Sequence, residues 1–338
     1  MLRDTLGRPL RNLRLSVTDR CNLRCEYCMP EAEYNWLPRE DVLHFEEISR
    51  LVDVFLSHGV DRLRLTGGEP LLRRDLPALV RMLTGKPGLN DLAMTTNGVL
   101  LTDQIDALAA AGLRRITVSL DTLRADRFKA LTRFDELTRV HEGMAAAARV
   151  FGRFKIDTVF IKGVNDDEIA DLIEYGKRLG AEVRFIEYMD VGGATRWSPD
   201  RVVSREEMIA QLSARYGPIT PVVEESSAPA DRYALPDGTI FGIISSTTQP
   251  FCKSCDRSRL TADGMWYLCL YATHGIDLRA PLRSGASDDV VASLLKAGWT
   301  GRDDRGAEQR LELGERRAFV PVKALKKDPH LEMHTRGG

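Results

Sequence analysis

The stretch from Leu13 to Cys28, LRLSVTDRCNLRCEYC, decides how the rest of the chain is read. Its first half, Leu13–Thr18, alternates apolar and polar residues with the period of two that a pleated strand imposes. Its second half sets Cys21, Cys25 and Cys28 at C-x3-C-x2-C spacing in the loop leaving that strand. Further strand-like runs follow at Arg62–Thr66, Leu92–Thr96, Arg115–Leu120, Lys155–Ile161 and Glu182–Tyr188. Amphipathic helical patterns lie between most of them; in the clearest, Phe45, Ile48, Leu51, Val52 and Phe55 recur at i, i+3, i+4 spacing and Gly59 follows. Strand–helix units in series predict an α/β fold with a parallel sheet and outer helices. A closed eight-stranded barrel takes about 250 residues. This series ends near residue 190, which predicts an incomplete (βα)6 barrel.

Beyond Val191 the alternation gives way to Gly192-Gly193, Pro199, Pro218, Pro221, Pro229 and Pro236. The expected division is residues 1–195, the barrel, and 196–338, an α+β region. The tail from Lys326 to Gly338 is polar and reads as exposed and weakly structured.

With 338 residues, 43% of them hydrophobic, the chain can bury a sizeable core. A formal net charge of −1 offers no general attraction to nucleic acid or to an anionic membrane. Met1–Leu10 has no apolar core of a signal peptide, and no run approaches the roughly 20 apolar residues of a membrane span. A soluble, cytoplasmic protein is expected.

All cysteines fall into two triplets, the second being Cys252, Cys255 and Cys269 at C-x2-C-x13-C spacing. Clustered thiols without an export signal point to metal rather than disulfides. Structural zinc sites and ordinary electron-transfer clusters are closed by four ligands. The first triplet has no neighbouring fourth cysteine, and its nearest histidine is His44. For the second, His274 could complete a zinc ribbon. Three ligands would leave an iron open, as catalytic metals require.

Other suggestive residues cluster at strand ends, where barrel active sites lie: Thr66-Gly67-Gly68-Glu69-Pro70, Thr95-Thr96-Asn97-Gly98 and Ser119-Leu120-Asp121. Each alone is compatible with a plain turn. Along the second strand Arg62, Arg64 and Thr66 share a face. Pointed inward, those arginines demand anionic partners, and their planar forks suit phosphate.

C-x3-C-x-Tyr-C resembles the signature of the radical S-adenosylmethionine superfamily, which implies a TIM-like partial barrel and a [4Fe-4S] cluster on Cys21, Cys25 and Cys28. The open iron would chelate S-adenosylmethionine, with Tyr27, Gly68, Ser119 and Met189 around it. The segment FC-x2-C-x-R-x-RLTADG, followed by Cys269, is similar to the second-cluster motif of GTP 3′,8-cyclases of molybdenum cofactor biosynthesis. That resemblance implies a second [4Fe-4S] cluster on Cys252, Cys255 and Cys269 that receives the guanine of GTP. Arg14, Arg64, Thr95, Lys155, Arg257, Ser258 and Arg259 would hold the nucleotide. It further implies that Gly337 and Gly338 enter the active site. An electron donor such as flavodoxin or ferredoxin, a downstream pterin-forming enzyme and a homodimer belong to the same expectation. One departure is Asp256, where the family more often has Asn. The competing readings are a radical enzyme acting on a peptide or other small molecule, and a cluster- or zinc-bearing module without enzymatic activity.

Overall fold

The computed structural model describes residues 1–224 and 227–337. Its strands are β1 (Asn12–Ser16), β2 (Arg62–Thr66), β3 (Asp91–Thr96), β4 (Arg115–Ser119), β5 (Lys155–Phe160), β6 (Glu182–Glu187), β7 (Thr220–Val222), β8 (Asp231–Ala234), β9 (Ile240–Ile244), β10 (Arg257–Leu260), β11 (Met265–Tyr267) and β12 (Ile276–Asp277). The first six are the strands expected from alternation, the largest displacement being an end at Ser16 rather than Thr18.

β1 to β6 pair in chain order, all parallel, with helices between them: α1 (Phe45–Ser57), α2 (Leu76–Thr84), α3 (Leu101–Ala110), α4 (Ala125–Thr132), α5 (Leu137–Phe151) and α6 (Ile169–Leu179). This is the partial, TIM-like barrel of the sequence reading, an α/β fold. The helices cover the outer face because their apolar stripes match it. α1 buries Ile48, Leu51, Val52 and Phe55, and β2 turns Leu63 and Leu65 into the same core. His44 proves to be the residue preceding α1, its backbone N–H donating to Glu47 Oε2 at 2.7 Å.

Residues beyond 195 extend this sheet in a way that periodicity does not reveal. β9 pairs parallel with β6, and β10 pairs parallel with β1. The antiparallel strands β8–β7 and β11–β12 continue outward on either side, giving the order β12-β11-β10-β1-β2-β3-β4-β5-β6-β9-β8-β7. The order is linear, so the barrel stays open between β7 and β12. Pairing β10 with β1 has one consequence for the site: the loop carrying Cys252 and Cys255, immediately before β10, is brought to the barrel that carries Cys21, Cys25 and Cys28.

Candidate active site

A cavity of about 430 Å³ occupies the barrel interior, and all six cysteines line it. The first triplet sits in the loop between β1 and α1. That loop rests on the turn after β2, where Gly68 N–H donates to Thr18 O (3.0 Å) and Glu69 N–H to Arg20 O (2.7 Å). Only glycine allows this approach. A Cβ on Gly67 (φ 144°) would lie 2.2 Å from Thr18 O, and one on Gly68 2.3 Å from Arg20 O. Glu69, fully buried, anchors the turn by accepting from Leu71 N–H (3.0 Å), Thr96 Oγ1 (2.7 Å) and Asn97 N–H (2.7 Å). Burial pushes its carboxyl up to about 7, against the pull of those donors.

Burial raises the thiols of the first triplet, Cys21 to about 11 and Cys25 and Cys28 well above the usual thiol range, with the Asp121 carboxylate adding to the effect at Cys25. Thiolates here therefore need a cationic partner, which bound iron would be. Around the second triplet the protein supplies cations itself. Burial opposes ionisation of Cys255, but Arg257 and Arg302 outweigh it and bring the thiol down to about 6. Their guanidinium groups donate to Cys255 Sγ at 3.7 and 3.5 Å. Among the described residues no three His, Cys, Asp or Glu side chains converge tightly enough to hold a single metal ion. Thiolates about 2.3 Å from one zinc would stand within about 4 Å of each other. His274 is exposed and does not line the cavity. Three thiols per group, spread around a cavity and met by N–H donors, fit clusters larger than one ion.

Cations line the space between the triplets. Arg14, Arg64, Lys155, Arg257 and Arg259 all face it, with Thr95. Arg64 donates to Thr95 Oγ1 (2.9 Å) and Thr117 Oγ1 (3.2 Å). Burial holds Arg14 and Arg64 below the usual guanidinium range, Lys155 at about 8 and Arg259 at about 10, and neighbouring cations add to the effect. Arg62 joins them, and so do Arg115 and Arg184, which no motif marks. The available signal is strand alternation: Arg184 interrupts the apolar pair Val183 and Phe185 on β6 as Arg64 interrupts Leu63 and Leu65 on β2. Ser258 does not join them. It is fully buried, falls between Arg257 and Arg259 in the alternation of β10, and is registered against Leu13 of β1.

Tyr27, Gly68, Ser119 and Met189 line the cavity on the side of the first triplet, and Tyr27 OH donates to Asp121 Oδ2 at 2.8 Å. Asp256 is buried, with Oδ2 accepting from Asn12 Nδ2 (2.6 Å) and Ser227 Oγ (2.7 Å). The tail corrects the expectation of exposure. Glu332, His334, Thr335 and Arg336 are buried, and Arg336 donates to the carbonyls of Leu270 (3.0 Å) and Ala272 (2.6 Å). Gly337 O accepts from Arg14 (3.2 Å) and Arg259 (2.7 Å); Gly338 lies outside the described residues.

Residues 15–176 match the family model of the Radical SAM superfamily, and 181–308 match Molybdenum Cofactor Synthesis C. The chain is 59% identical to GTP 3′,8-cyclase 3 of Mycobacterium bovis over all of its own length and 90% of that relative. It is 58% identical to GTP 3′,8-cyclase 1 of Mycobacterium tuberculosis, again over its whole length and 95% of the relative. With the Aquifex aeolicus GTP 3′,8-cyclase it shares 43% identity, covering 94% of this chain and 97% of that one. The chain belongs to the GTP 3′,8-cyclase family. Among solved structures, Streptococcus suis SuiB bound to S-adenosylmethionine aligns with a TM-score of 0.61 over 91% of this chain and 71% of SuiB, at 15% identity. That likeness is one of fold. Family membership makes the chain a radical S-adenosylmethionine enzyme, and two [4Fe-4S] clusters and S-adenosylmethionine are its cofactors. No helix among the described residues is long and apolar enough to cross a membrane.

Every group on Glu69 is a donor, so an amide there must turn its NH2 against one of them. Glu69→Gln should lower stability by about 1–3 kcal/mol, the cost of a buried unsatisfied donor. Chemical denaturation at pH 7.5 checks this, and unchanged stability would show that the turn does not depend on the carboxylate.

Proposed function

We propose that this chain converts GTP into 3′,8-cyclo-7,8-dihydro-GTP in molybdenum cofactor biosynthesis. The observation that carries the reading is that two thiol triplets and a row of cations line one cavity. Cys21, Cys25 and Cys28 would hold the first cluster, Cys252, Cys255 and Cys269 the second. The chemistry that the first cluster and S-adenosylmethionine supply when bound is reductive formation of a 5′-deoxyadenosyl radical.

What the chain itself does is bind, orient and exclude water. Tyr27, Gly68, Ser119 and Met189 surround S-adenosylmethionine on the first side. Arg14, Arg64, Lys155, Arg257 and Arg259 grip the nucleotide, with Thr95 held ready by Arg64. A polyphosphate repays the desolvation that lowers these cations, since charge-assisted contacts strengthen where water is excluded. Guanine then lies toward the second triplet and the ribose C3′ hydrogen toward the first. Fixing the reacting atoms in contact supplies much of the rate, and no side-chain base is required to take a hydrogen atom. Gly337, between Arg14 and Arg259, closes the cavity, and Gly338 follows it. The division at residue 195 assigns the first cluster to one part and the second to the other. A flavodoxin or ferredoxin as electron donor, a downstream pterin-forming enzyme and a cytoplasmic location complete the reading.

Anaerobically reconstituted protein given GTP, S-adenosylmethionine and dithionite should form 5′-deoxyadenosine and the cyclised nucleotide. Cys25→Ser should abolish cleavage of S-adenosylmethionine yet keep iron at the second triplet; Cys255→Ser should keep some uncoupled cleavage and give no cyclised product. Iron analysis with product chromatography reads both, and zinc at the second triplet would defeat the proposal.

Lys155 also sets a pH dependence. Its ammonium is depressed to about 8, so its charge is present below that value and lost above it. GTP affinity should fall as pH rises from 7 to 9, by up to about one to two decades if one charge-assisted phosphate contact is lost. Lys155→Arg should flatten the profile, and calorimetric titration distinguishes the outcomes. An identical slope in the variant would remove Lys155 from the site.

A further inference from the structure

Opposite ends of the chain meet behind the second triplet. Asp4, Arg8 and Arg302 are all buried there. Asp4 Oδ2 pairs with Arg8 Nε at 2.5 Å and with Arg302 Nη1 at 3.4 Å. Arg8 donates to Cys252 O (3.0 Å). Arg302 donates to Cys255 O (2.9 Å) and, through its other terminal nitrogen, to Cys255 Sγ (3.5 Å). The guanidinium lies over the Trp299 ring, 4.5 Å from its centroid, which fixes its plane. Trp299 in turn donates to Arg8 O at 3.1 Å.

Two features give this group a role beyond holding the fold. Two buried guanidinium groups share one close carboxylate; Asp304, the next, reaches Arg302 Nε only at 3.7 Å. Asp304 is only partly buried, so within the protein the sulfurs of the second triplet are the further anionic groups in reach of Arg302. Arg302 also differs from Arg257, the other donor to Cys255 Sγ. Arg257 lines the cavity and can touch a nucleotide, whereas Arg302 does not line it.

We propose that Arg302, oriented by Asp4 and Trp299, is a positioning residue for the second cluster and raises its reduction potential through the contact to Cys255 Sγ. Hydrogen bonds and positive charge at cluster sulfurs favour the reduced, more negative state. The inference rests on the second triplet carrying a cluster.

The test is an anaerobic redox titration of reconstituted full-length protein, following each cluster by electron paramagnetic resonance in wild type, Arg302→Lys and Arg302→Gln. In Arg302→Gln the midpoint of the second cluster should move to more negative potential, with a smaller move in Arg302→Lys and no change in the first cluster. A wild-type midpoint in Arg302→Gln, or an equal shift of both clusters, would overturn the proposal. If Arg302→Gln does not retain its second cluster, Arg302→Lys decides by the same criterion. Loss of the cluster from both variants supports the role if the melting temperature is unchanged, and overturns it in favour of plain folding support if the melting temperature falls. Failure of the underlying reading looks different: wild-type protein would show a single cluster, or Cys255→Ser would lose no iron.

Discussion

The crowding of Arg14, Arg64, Lys155 and Arg259 around one cavity is the constraint on which the rest of this structure depends. Cations gathered in a low-dielectric interior repel one another and lose hydration, and each of the four is depressed accordingly. Among the described residues the carboxylates lining the cavity, Asp91, Asp157, Glu187 and Asp256, are fewer than its cations, and Asp157 raises Arg14 and Arg64 only partly. The barrel therefore holds an electrostatic debt that an anionic ligand cancels. Even the tail conforms, since what it offers to Arg14 and Arg259 is a carbonyl oxygen.

The same constraint separates the two cysteine sites. At the first triplet the protein provides little positive charge, and burial keeps the thiols high until iron arrives. At the second, burial likewise raises Cys252 and Cys269, but Arg257 and Arg302 lower Cys255. The first site has burial alone, whereas the second lies among the cations that line the cavity. Both face one space because β10 pairs with β1.

Much of this was legible in the sequence where the signal is local. Alternation within β2 or β6 and the i, i+3, i+4 stripe of α1 reflect burial on one face, which needs no partner's identity. The thiol spacings are local too. What escaped is non-local. β10 carries no clear strand signal, because Arg257 and Arg259 fill the positions that face the cavity, and its parallel pairing with β1 leaves no mark in either segment. Asp4 and Arg302 lie 298 positions apart and meet where Thr5 bonds the Arg302 carbonyl. Composition alone points the wrong way at the tail, where Arg336 is buried with backbone carbonyls as acceptors. Ser258 was carried in by its neighbours in the motif, although strand alternation turns it from the cavity.

A nucleotide held by those cations would present its ribose to the first cluster's side of the cavity. The most direct measurement uses GTP carrying deuterium only at C3′, with mass analysis of the 5′-deoxyadenosine formed in a single turnover. Transfer of that deuterium into 5′-deoxyadenosine is the expected result. Unlabelled 5′-deoxyadenosine from an otherwise productive turnover would contradict the placement of the substrate described here.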